Sequence, residues 1–293
     1  MRRIPLLLAL VAGLGGCGGE SNEVPTLALD FQPNAVHAGI YAANDLRVRV
    51  PSSSTDSLKL LAAGRADIAV VDIHDLGLAR ERGADIVGVG ALVQRPLAAV
   101  IARAEIRRPR DLEGRRVGVT GLPSDDAVLR AVVEDDGGDF SEVKRTTIGF
   151  TAVPSLIAGK VDAVVAFWNA EGVALRERGV QTREFRVDDY GAPRYPELVL
   201  AAKRGHADEL EGVLAKLAEG TRTALLDRQD TIDRLVSASG ADKELVRAQL
   251  DAVAPALVPP IRLDRRALEG WADFDARFGI LDRRPDVDRA FPR

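Results

Sequence analysis

The sequence has a single cysteine, Cys17, in 293 residues. One cysteine can form neither an internal disulfide nor a thiolate metal cluster, which excludes disulfide-stapled scaffolds and cysteine-based zinc domains. Aromatic residues make up only 4% of the chain, and a formal net charge of −4 gives no global positive field that would attract nucleic acid. The mixture of 46% hydrophobic and 29% charged residues excludes both a disordered chain and a multi-span membrane protein.

The N-terminus has the three parts of a secretory signal: cationic residues 1–3, an apolar run over 4–14 and small residues before Cys17. The apolar run is too short to span a bilayer as a helix. Leu14-Gly15-Gly16-Cys17 resembles the lipobox of bacterial lipoproteins, which implies that Cys17 becomes the lipidated first residue of the mature chain. We therefore expect a signal peptide over 1–16, a lipidated tether over 17–23 and an exported protein whose membrane contact is this anchor, on the periplasmic or extracellular face. The alternative is an ordinary signal peptide with an incidental cysteine.

The mature chain alternates short apolar runs with stretches of helical spacing. This alternation predicts an α/β fold with mainly parallel sheets, followed from about residue 207 by a helical C-terminal tail. We assign residues 24–114 with 197–293 to a first lobe and 115–196 to a second, with a small-molecule cleft between them. The expected strands lie at 26–31, 67–71, 86–90, 97–102, 117–120, a run ending at 148, 161–167 and 198–202, and the expected helices at 57–63, 76–82, 125–135 and 153–158.

Several classes of chemistry lack their motifs in this sequence. There is no dinucleotide or phosphate-loop fingerprint, no GxSxG nucleophile and no HExxH or His/Cys cluster. The one cysteine stands at the predicted mature terminus, which excludes a cysteine nucleophile. We therefore expect no catalytic residues, no metal and no cofactor.

Polar and aromatic residues instead follow the predicted strands, at the carboxyl ends where open α/β sheets bind ligands. Such a set suits a flat, uncharged or weakly basic heterocycle, because aromatic rings can stack on it while amides and carboxylates accept from its ring N–H and amino groups. Acidic residues in the first turn of the helix after Pro123 disfavour a phosphate. Plainer interpretations stay open: Asn34 and Ser124 as helix caps, and Trp168 as core.

Residues 30–41, Asp-Phe-Gln-Pro-Asn-Ala-Val-His-Ala-Gly-Ile-Tyr, resemble the opening motif of solute-binding proteins for thiamine-related pyrimidines, Leu-Asp-Trp-x-Pro-Asn-x-x-His-x-Gly-Leu-Tyr. Residues 61–69, 110–118 and 137–140 are similar to further elements of that family. The resemblance implies a type II periplasmic-binding-protein fold, two α/β lobes around a cleft, and a monomer that delivers a pyrimidine to the permease of an ABC importer. Two departures are a shortened segment after Tyr41, and Val71-Asp72 where related pyrimidine synthases carry a cofactor-binding lysine.

The resemblance and the strand ends together give the expected ligand contacts. In the first lobe, Asn34 and His37 supply polar contacts, Asp72 pairs with a ring nitrogen or amine, and Gln94 lies near the hinge. The second-lobe wall is formed by Ser124, Trp168, Asn169 and Glu171, and Tyr195 or Glu197 lies at the return crossing. The alternatives are a pyrimidine-synthase-like enzyme, a binding protein for another heterocycle such as riboflavin, and a lipoprotein sensor without an importer.

Overall fold

The computed structural model describes residues 24–52 and 56–292. The predictions of a signal peptide and of lipidation at Cys17 lie outside the described residues. Among those that are described, no helix combines the length and the apolar character needed to cross a bilayer.

The first lobe is built on a five-stranded sheet in the order β2-β1-β3-β10-β4. Its central strands form because short runs of aliphatic residues are buried on both faces, as in the fully buried Ile68-Ala69-Val70-Val71. The strands are β1 (Thr26–Ala28), β2 (Arg47–Arg49), β3 (Ile68–Asp72), β4 (Ile86–Ala91) and β10 (Leu198–Lys203).

The second lobe repeats this arrangement, with the order β7-β6-β8-β5-β9. Its strands are β5 (Ala98–Arg103), β6 (Arg116–Val119), β7 (Lys144–Thr147), β8 (Ala163–Phe167) and β9 (Thr182–Arg186). In each sheet four strands share one direction and the fifth, β10 or β5, pairs antiparallel with both of its neighbours. The prediction of mainly parallel sheets is therefore confirmed.

The reversed strand of each sheet directly follows a crossing between the lobes. The chain crosses once over residues 92–97 and returns over 187–197. This differs from the sequence-based division, which placed residues 24–114 in the first lobe, because strand 98–103 pairs with β8 and β9 in the second sheet. Apolar runs predict that a strand exists but do not say which sheet it joins.

Two strands were missed from the sequence, β2 and β9, and both lie at the edge of their sheet. Edge strands need little burial, so Arg-Val-Arg and Thr-Arg-Glu-Phe-Arg carry no continuous apolar run. The polar residues along them are consistent with one face and one edge in water.

The helices surround both sheets, and the tail beyond residue 207 is helical as predicted. Helices α1–α6 are Ala38–Ala42, Asp56–Ala62, Ile73–Glu81, Pro123–Asp135, Ala152–Ile157 and Val173–Glu177. Helices α7–α11 are Glu211–Leu226, Arg228–Ser239, Lys243–Val253, Arg265–Phe278 and Val287–Ala290.

The tail packs mainly on the first lobe. A Cβ on Gly39 of α1 would collide with Thr221 of α7, so this close helix contact requires glycine. Trp271 of α10 packs against Gly77 of α3 in the same way. The tail also contacts the second lobe, where α9 meets α6 and α10 meets α4.

Candidate ligand-binding site

A cavity of about 150 Å³ lies between the two lobes. Apolar cavities of roughly this size hold one benzene-sized ring. Side chains from both lobes line it, and most are apolar or acidic. The lining residues used below are Asp30, Phe31, Asn34, Asp72, Asp75, Thr120, Ser124, Asp125, Phe150, Phe167, Glu171 and Glu197.

The cavity lies where several strands end. Residues just beyond the carboxyl ends of β1, β3, β6 and β8 all reach it, as expected for ligand sites in open α/β sheets. Asp72 caps α3, accepting from the backbone N–H of His74, and Ser124 and Asp125 lie in the first turn of α4. The segment that follows each of these four strands therefore contributes at least one polar or acidic residue to the cavity lining.

Within the described chain, the cavity lining contains six carboxyl groups and no lysine, arginine or histidine. Such a wall attracts hydrogen-bond donors and cations and repels anions. The six are Asp30, Asp72, Asp75, Asp125, Glu171 and Glu197.

Directly behind the first-lobe wall, a fully buried histidine supplies a cation. His74 Nδ1 lies 2.6 Å from Asp275 Oδ1 of α10, and His74 Nε2 lies 3.2 Å from the Tyr195 hydroxyl. Burial alone would lower the pKa of His74, but the carboxylates of Asp275, Asp72 and Glu197 outweigh burial and raise it to about 10. The imidazole is therefore a buried imidazolium at neutral pH. We call Asp72, His74, Tyr195, Glu197 and Asp275 the histidine cluster.

The two cavity-lining members of the histidine cluster are held by backbone donors as well. Glu197 Oε2 accepts from the N–H groups of Leu97, at 3.0 Å, and Ala98, at 3.4 Å, which ties the return crossing to the first crossing. Burial raises the pKa values of Asp72 and Glu197, and the charge of His74 opposes that rise in both. Side-chain atoms of Asp72, His74 and Glu197 that are able to coordinate a metal ion lie within 4.8 Å of one another. Both ring nitrogens of His74 already have protein partners, Asp275 and Tyr195.

The loop after β1 is organised by a second buried histidine. His37 Nδ1 accepts from the N–H of Asn34 at 3.3 Å, which leaves the Nε2 hydrogen for Asp30 Oδ1 at 2.8 Å. Asn34 Oδ1 accepts from the N–H of Val36, capping the turn that leads into α1. His37 thus orients Asp30 toward the cavity.

The second-lobe carboxylates are held by neutral donors. Asp125 Oδ2 accepts from the Thr120 hydroxyl at 2.5 Å and from the N–H groups of Gly121 and Leu122. Glu171 Oε2 accepts from the N–H of Phe167 at 3.1 Å. Burial raises the pKa of both carboxyl groups, and these hydrogen bonds only partly offset it. We call Asp125 and Glu171 the backbone-held pair.

An aromatic pair joins the lobes at the cavity. The rings of Phe31 and Phe150 have centroids 5.1 Å apart with an interplanar angle of 58°. Phe31 follows β1 of the first lobe, and Phe150, a residue that is 54% exposed, follows β7 of the second. The pair therefore gives the cavity an aromatic surface that depends on the relative position of the lobes.

Residues 34–230 match the family described as NMT1/THI5 like. This chain belongs to that family. The match spans residues of both lobes, and it confirms the resemblance drawn from the motif at residues 30–41.

One relative of this chain is the formylaminopyrimidine-binding protein of Halalkalibacterium halodurans. It is 34% identical over 231 residues, covering 72% of this chain and 70% of the relative. Among solved structures, the periplasmic aliphatic sulphonate binding protein SsuA of Escherichia coli matches with a TM-score of 0.77 at 18% identity, over 93% of each chain. SsuA of Xanthomonas axonopodis pv. citri, bound to MOPS, matches with a TM-score of 0.73 at 20% identity, over 92% of this chain and 99% of that one. At these identities the structures show the fold alone, and they confirm the predicted periplasmic-binding-protein fold.

Half of the site residues predicted from the sequence reach the cavity of this NMT1/THI5-like chain. These are Asn34, Asp72, Ser124, Glu171 and Glu197, drawn from both lobes and from the return crossing.

The other five are not among the residues that line this cavity. Gln94 and Tyr195 lie in the two crossings, as expected, while His37, Trp168 and Asn169 are buried next to residues of the site. Trp168 Nε1 donates to the Pro96 carbonyl at 3.0 Å, and the Arg186 guanidinium lies 4.2 Å from the centroid of the indole ring. The edge and one face of the indole therefore contact other parts of the protein. Gln94 donates to the carbonyls of residues 259 and 262 in the C-terminal tail. His37 and Tyr195 are buried hydrogen-bond partners of Asp30 and His74, and Asn169 is buried without lining the cavity.

Five important lining residues were not predicted as ligand contacts. Asp30 and Phe31 stand inside the motif at residues 30–41, and that position was the signal for them. In the sequence, Asp75 stands out only as the neighbour of His74, and Asp125 only as one of the residues at the start of a helix. Phe150 follows a fully exposed edge strand, and nothing in the sequence distinguishes it.

Proposed function

We propose that this chain is the extracytoplasmic solute-binding component of an ABC importer and captures a thiamine-related pyrimidine between its two lobes. The observation that carries the proposal is a one-ring cavity lined by six carboxyl groups without a basic side chain among its described lining residues. A relative that is 34% identical and is named for formylaminopyrimidine binding supports the same ligand class.

The size and surface of the cavity suit a single flat ring. A volume of about 150 Å³ accommodates one six-membered aromatic ring. Val71, Val165, Leu198 and the ring of Phe31 offer apolar contact to its faces. Riboflavin, the alternative heterocycle, has three fused rings and exceeds this volume.

The charge of the cavity separates this chain from the sulfonate binders that share its fold. A sulfonate is an anion and would meet six carboxyl groups, with no lysine or arginine in the described lining to pair with it. An aminopyrimidine presents an exocyclic amino group, which donates to carboxylates, and basic ring nitrogens, which accept from protonated carboxyl groups. In this proposal the fold determines that the ligand is enclosed between two lobes, and the side chains of the cavity determine which ligand binds.

Ligand capture follows from the position of the cavity between the lobes. A ligand that contacts Asp72 or Glu197 on one side and Asp125 or Glu171 on the other is bound most tightly when the lobes are closed. The crossings at 92–97 and 187–197 are the hinge about which the lobes move. The closed, loaded protein is the form that a permease would recognise, and a monomer suffices for this mechanism.

The alternative of a pyrimidine synthase meets two obstacles. The position that the resemblance gives for a cofactor lysine is occupied by Val71-Asp72. A phosphorylated cofactor would also bring its anion into the acidic cavity. If pyridoxal phosphate gave an absorbance band with the purified protein, or were consumed by it, the synthase hypothesis would replace the transport hypothesis.

Export and anchoring belong to the same proposal. We infer that Cys17 is acylated and that residues 18–23 tether the protein to the membrane. Metabolic labelling with a palmitate analogue should mark the wild-type protein and not Cys17→Ser. A Cys17→Ser variant that still carries the label would overturn the anchor. A neighbouring permease gene and ATPase gene would support an importer over a sensor.

The decisive measurement is calorimetry of the mature chain with a ligand panel. We expect micromolar or tighter dissociation constants for 4-amino-2-methylpyrimidines substituted at position 5, and no heat of binding for riboflavin or for MOPS. Binding of the sulfonate in preference to every pyrimidine would overturn the ligand assignment.

A further inference from the structure

Two carboxylates from opposite lobes line the cavity close enough for their charges to interact. Asp75 lies in the first turn of α3 in the first lobe, and Asp125 lies in the first turn of α4 in the second. Both line the same cavity, and Asp125 is only 7% exposed. Burial and the charge of Asp125 raise the pKa of Asp75, and the charges of His74 and Arg82 offset this only in part. Two like charges so placed repel each other across the cleft and gain little screening from solvent.

Asp75 and Asp125 line the cavity with no lysine, arginine or histidine among its described lining residues. The charge of His74 acts on Asp72, Glu197 and Asp75, whereas Asp125 accepts from the Thr120 hydroxyl and from backbone N–H groups. No described donor forms a hydrogen bond with the carboxylate of Asp75. A pair of carboxylates in one cavity, without a protein cation in the described cavity lining, is complementary to a cation on the ligand.

We propose that Asp75 and Asp125 together receive a protonated primary amine of the ligand, so that the site selects a pyrimidine with a free aminomethyl group over its formylated or hydroxymethyl counterparts. This inference rests on the proposed function and names the ligand class within it. It separates this chain from the relative whose name gives a formylated amine.

The three substituents differ in what they offer to these two carboxylates. A primary ammonium carries three N–H donors and a positive charge, enough to bond both carboxylates at once. A formamide offers one neutral N–H, and its carbonyl oxygen would be repelled by the second carboxylate. A hydroxyl offers one neutral O–H. Charge and donor count therefore favour the free amine.

The same contact would drive closure. Without ligand, repulsion between Asp75 and Asp125 opposes the approach of α3 and α4. An ammonium between them converts that repulsion into attraction, so the ligand stabilises the closed form through one group that touches both lobes. A neutral substituent contributes no such attraction.

Calorimetry on the mature chain at one pH and ionic strength tests this with three compounds that differ at one position. These are 4-amino-2-methylpyrimidines carrying 5-aminomethyl, 5-formylaminomethyl or 5-hydroxymethyl. We expect the aminomethyl compound to bind at least about 10-fold more tightly than the others, the typical gain from a charge-assisted hydrogen bond. Equal or tighter binding of the formylated or hydroxymethyl compound would overturn the inference and leave the proposed function intact. Binding of none of the three would overturn the proposed function.

Two single variants test whether Asp75 and Asp125 are responsible for the preference for the aminomethyl compound. Asp75→Asn and Asp125→Asn should each weaken aminomethyl binding by about 10- to 100-fold and change hydroxymethyl binding by less than about threefold. In Asp125→Asn, the side-chain amide oxygen can still accept from Thr120 and from the N–H groups of residues 121 and 122. Asp126→Asn is the matched control, because it removes the same charge from the next residue, which pairs with Arg145 outside the cavity. An equal loss for amine and hydroxymethyl compounds, or an equal loss in the control, would contradict the assignment, and thermal unfolding of each variant verifies that it is folded.

Discussion

The two lobes hold their cavity carboxylates in different ways. In the first lobe, Asp72 and Glu197 belong to the histidine cluster, whose buried imidazolium supplies the opposing charge from within the protein. In the second lobe, the backbone-held pair of Asp125 and Glu171 accepts only from neutral groups. Where the protein supplies its own cation, the carboxylates contribute to the fold as well as to the site. Where it does not, their charge remains for the ligand.

The largest expected effect comes from breaking the histidine cluster at its far end. Asp275→Asn removes the charge opposite the buried imidazolium of His74 while keeping an acceptor for Nδ1. We expect a loss of about 3 kcal/mol in the free energy of unfolding, at the low end for breaking a buried ion pair. Chemical denaturation measures it. Asp273→Asn, two residues away and paired with Arg284 on the surface, is the control and should cost under about 1 kcal/mol. Equal losses of unfolding free energy in both variants would contradict a stabilising role for the histidine cluster.

The same cluster predicts how stability depends on pH. The folded pKa of His74, about 10, lies above its unfolded value of roughly 6.5. The stability it contributes is therefore complete below about pH 6.5 and is lost as the pH rises through the folded pKa near 10. The melting-temperature gap between wild type and Asp275→Asn should be widest at pH 6 and shrink toward pH 10. A gap that stays constant would mean that His74 does not change its protonation state between pH 6 and pH 10.

The sequence was informative wherever burial imposes a pattern. Central strands such as β3 and β8 are continuous aliphatic runs, and their existence follows from the sequence. The edge strands β2 and β9 have no such constraint. Assignment of β5 to the second sheet depends on where the chain crosses between lobes, and no local pattern encodes that crossing.

The site was predictable to the extent that it lies at strand ends. Asp72, Glu171 and Glu197 follow strands or precede them, and all three line the cavity. The partner of His74 could not be found this way, because Asp275 is 201 residues distant and looks like any acidic residue of an amphipathic helix. The presence of Asp75 and Asp125 in one cavity likewise depends on the packing of the two lobes.

In the second lobe, removing a carboxylate should affect binding and not stability. Glu171→Gln keeps an acceptor for the N–H of Phe167 but removes the charge, and we expect about 10-fold weaker binding of an aminopyrimidine. Burial raises the pKa of Glu171, so its ionised form opposes folding at neutral pH, and the variant should unfold at the same or slightly higher denaturant concentration. Exposed Glu177→Gln of α6 is the matched control for both measurements. If Glu171→Gln lost as much unfolding free energy as Asp275→Asn, the two lobes would not differ in how their carboxylates contribute to stability.

The smallest expected effect concerns Trp168, which begins the segment that carries Glu171. Trp168→Phe loses the hydrogen bond from Nε1 to the Pro96 carbonyl and retains an aromatic ring under Arg186, so unfolding should become easier by about 1 kcal/mol. Because Trp168 lies behind the cavity wall, ligand affinity should change by less than about threefold, whereas Phe31→Leu removes an aromatic ring from the lining and should cost more, since aromatic contacts contribute about 0.5–1.5 kcal/mol. Calorimetry on both variants ranks them. A larger affinity loss for Trp168→Phe than for Phe31→Leu would show that the indole turns into the cavity when ligand binds, and the second-lobe wall would then include an aromatic face as well as the backbone-held pair.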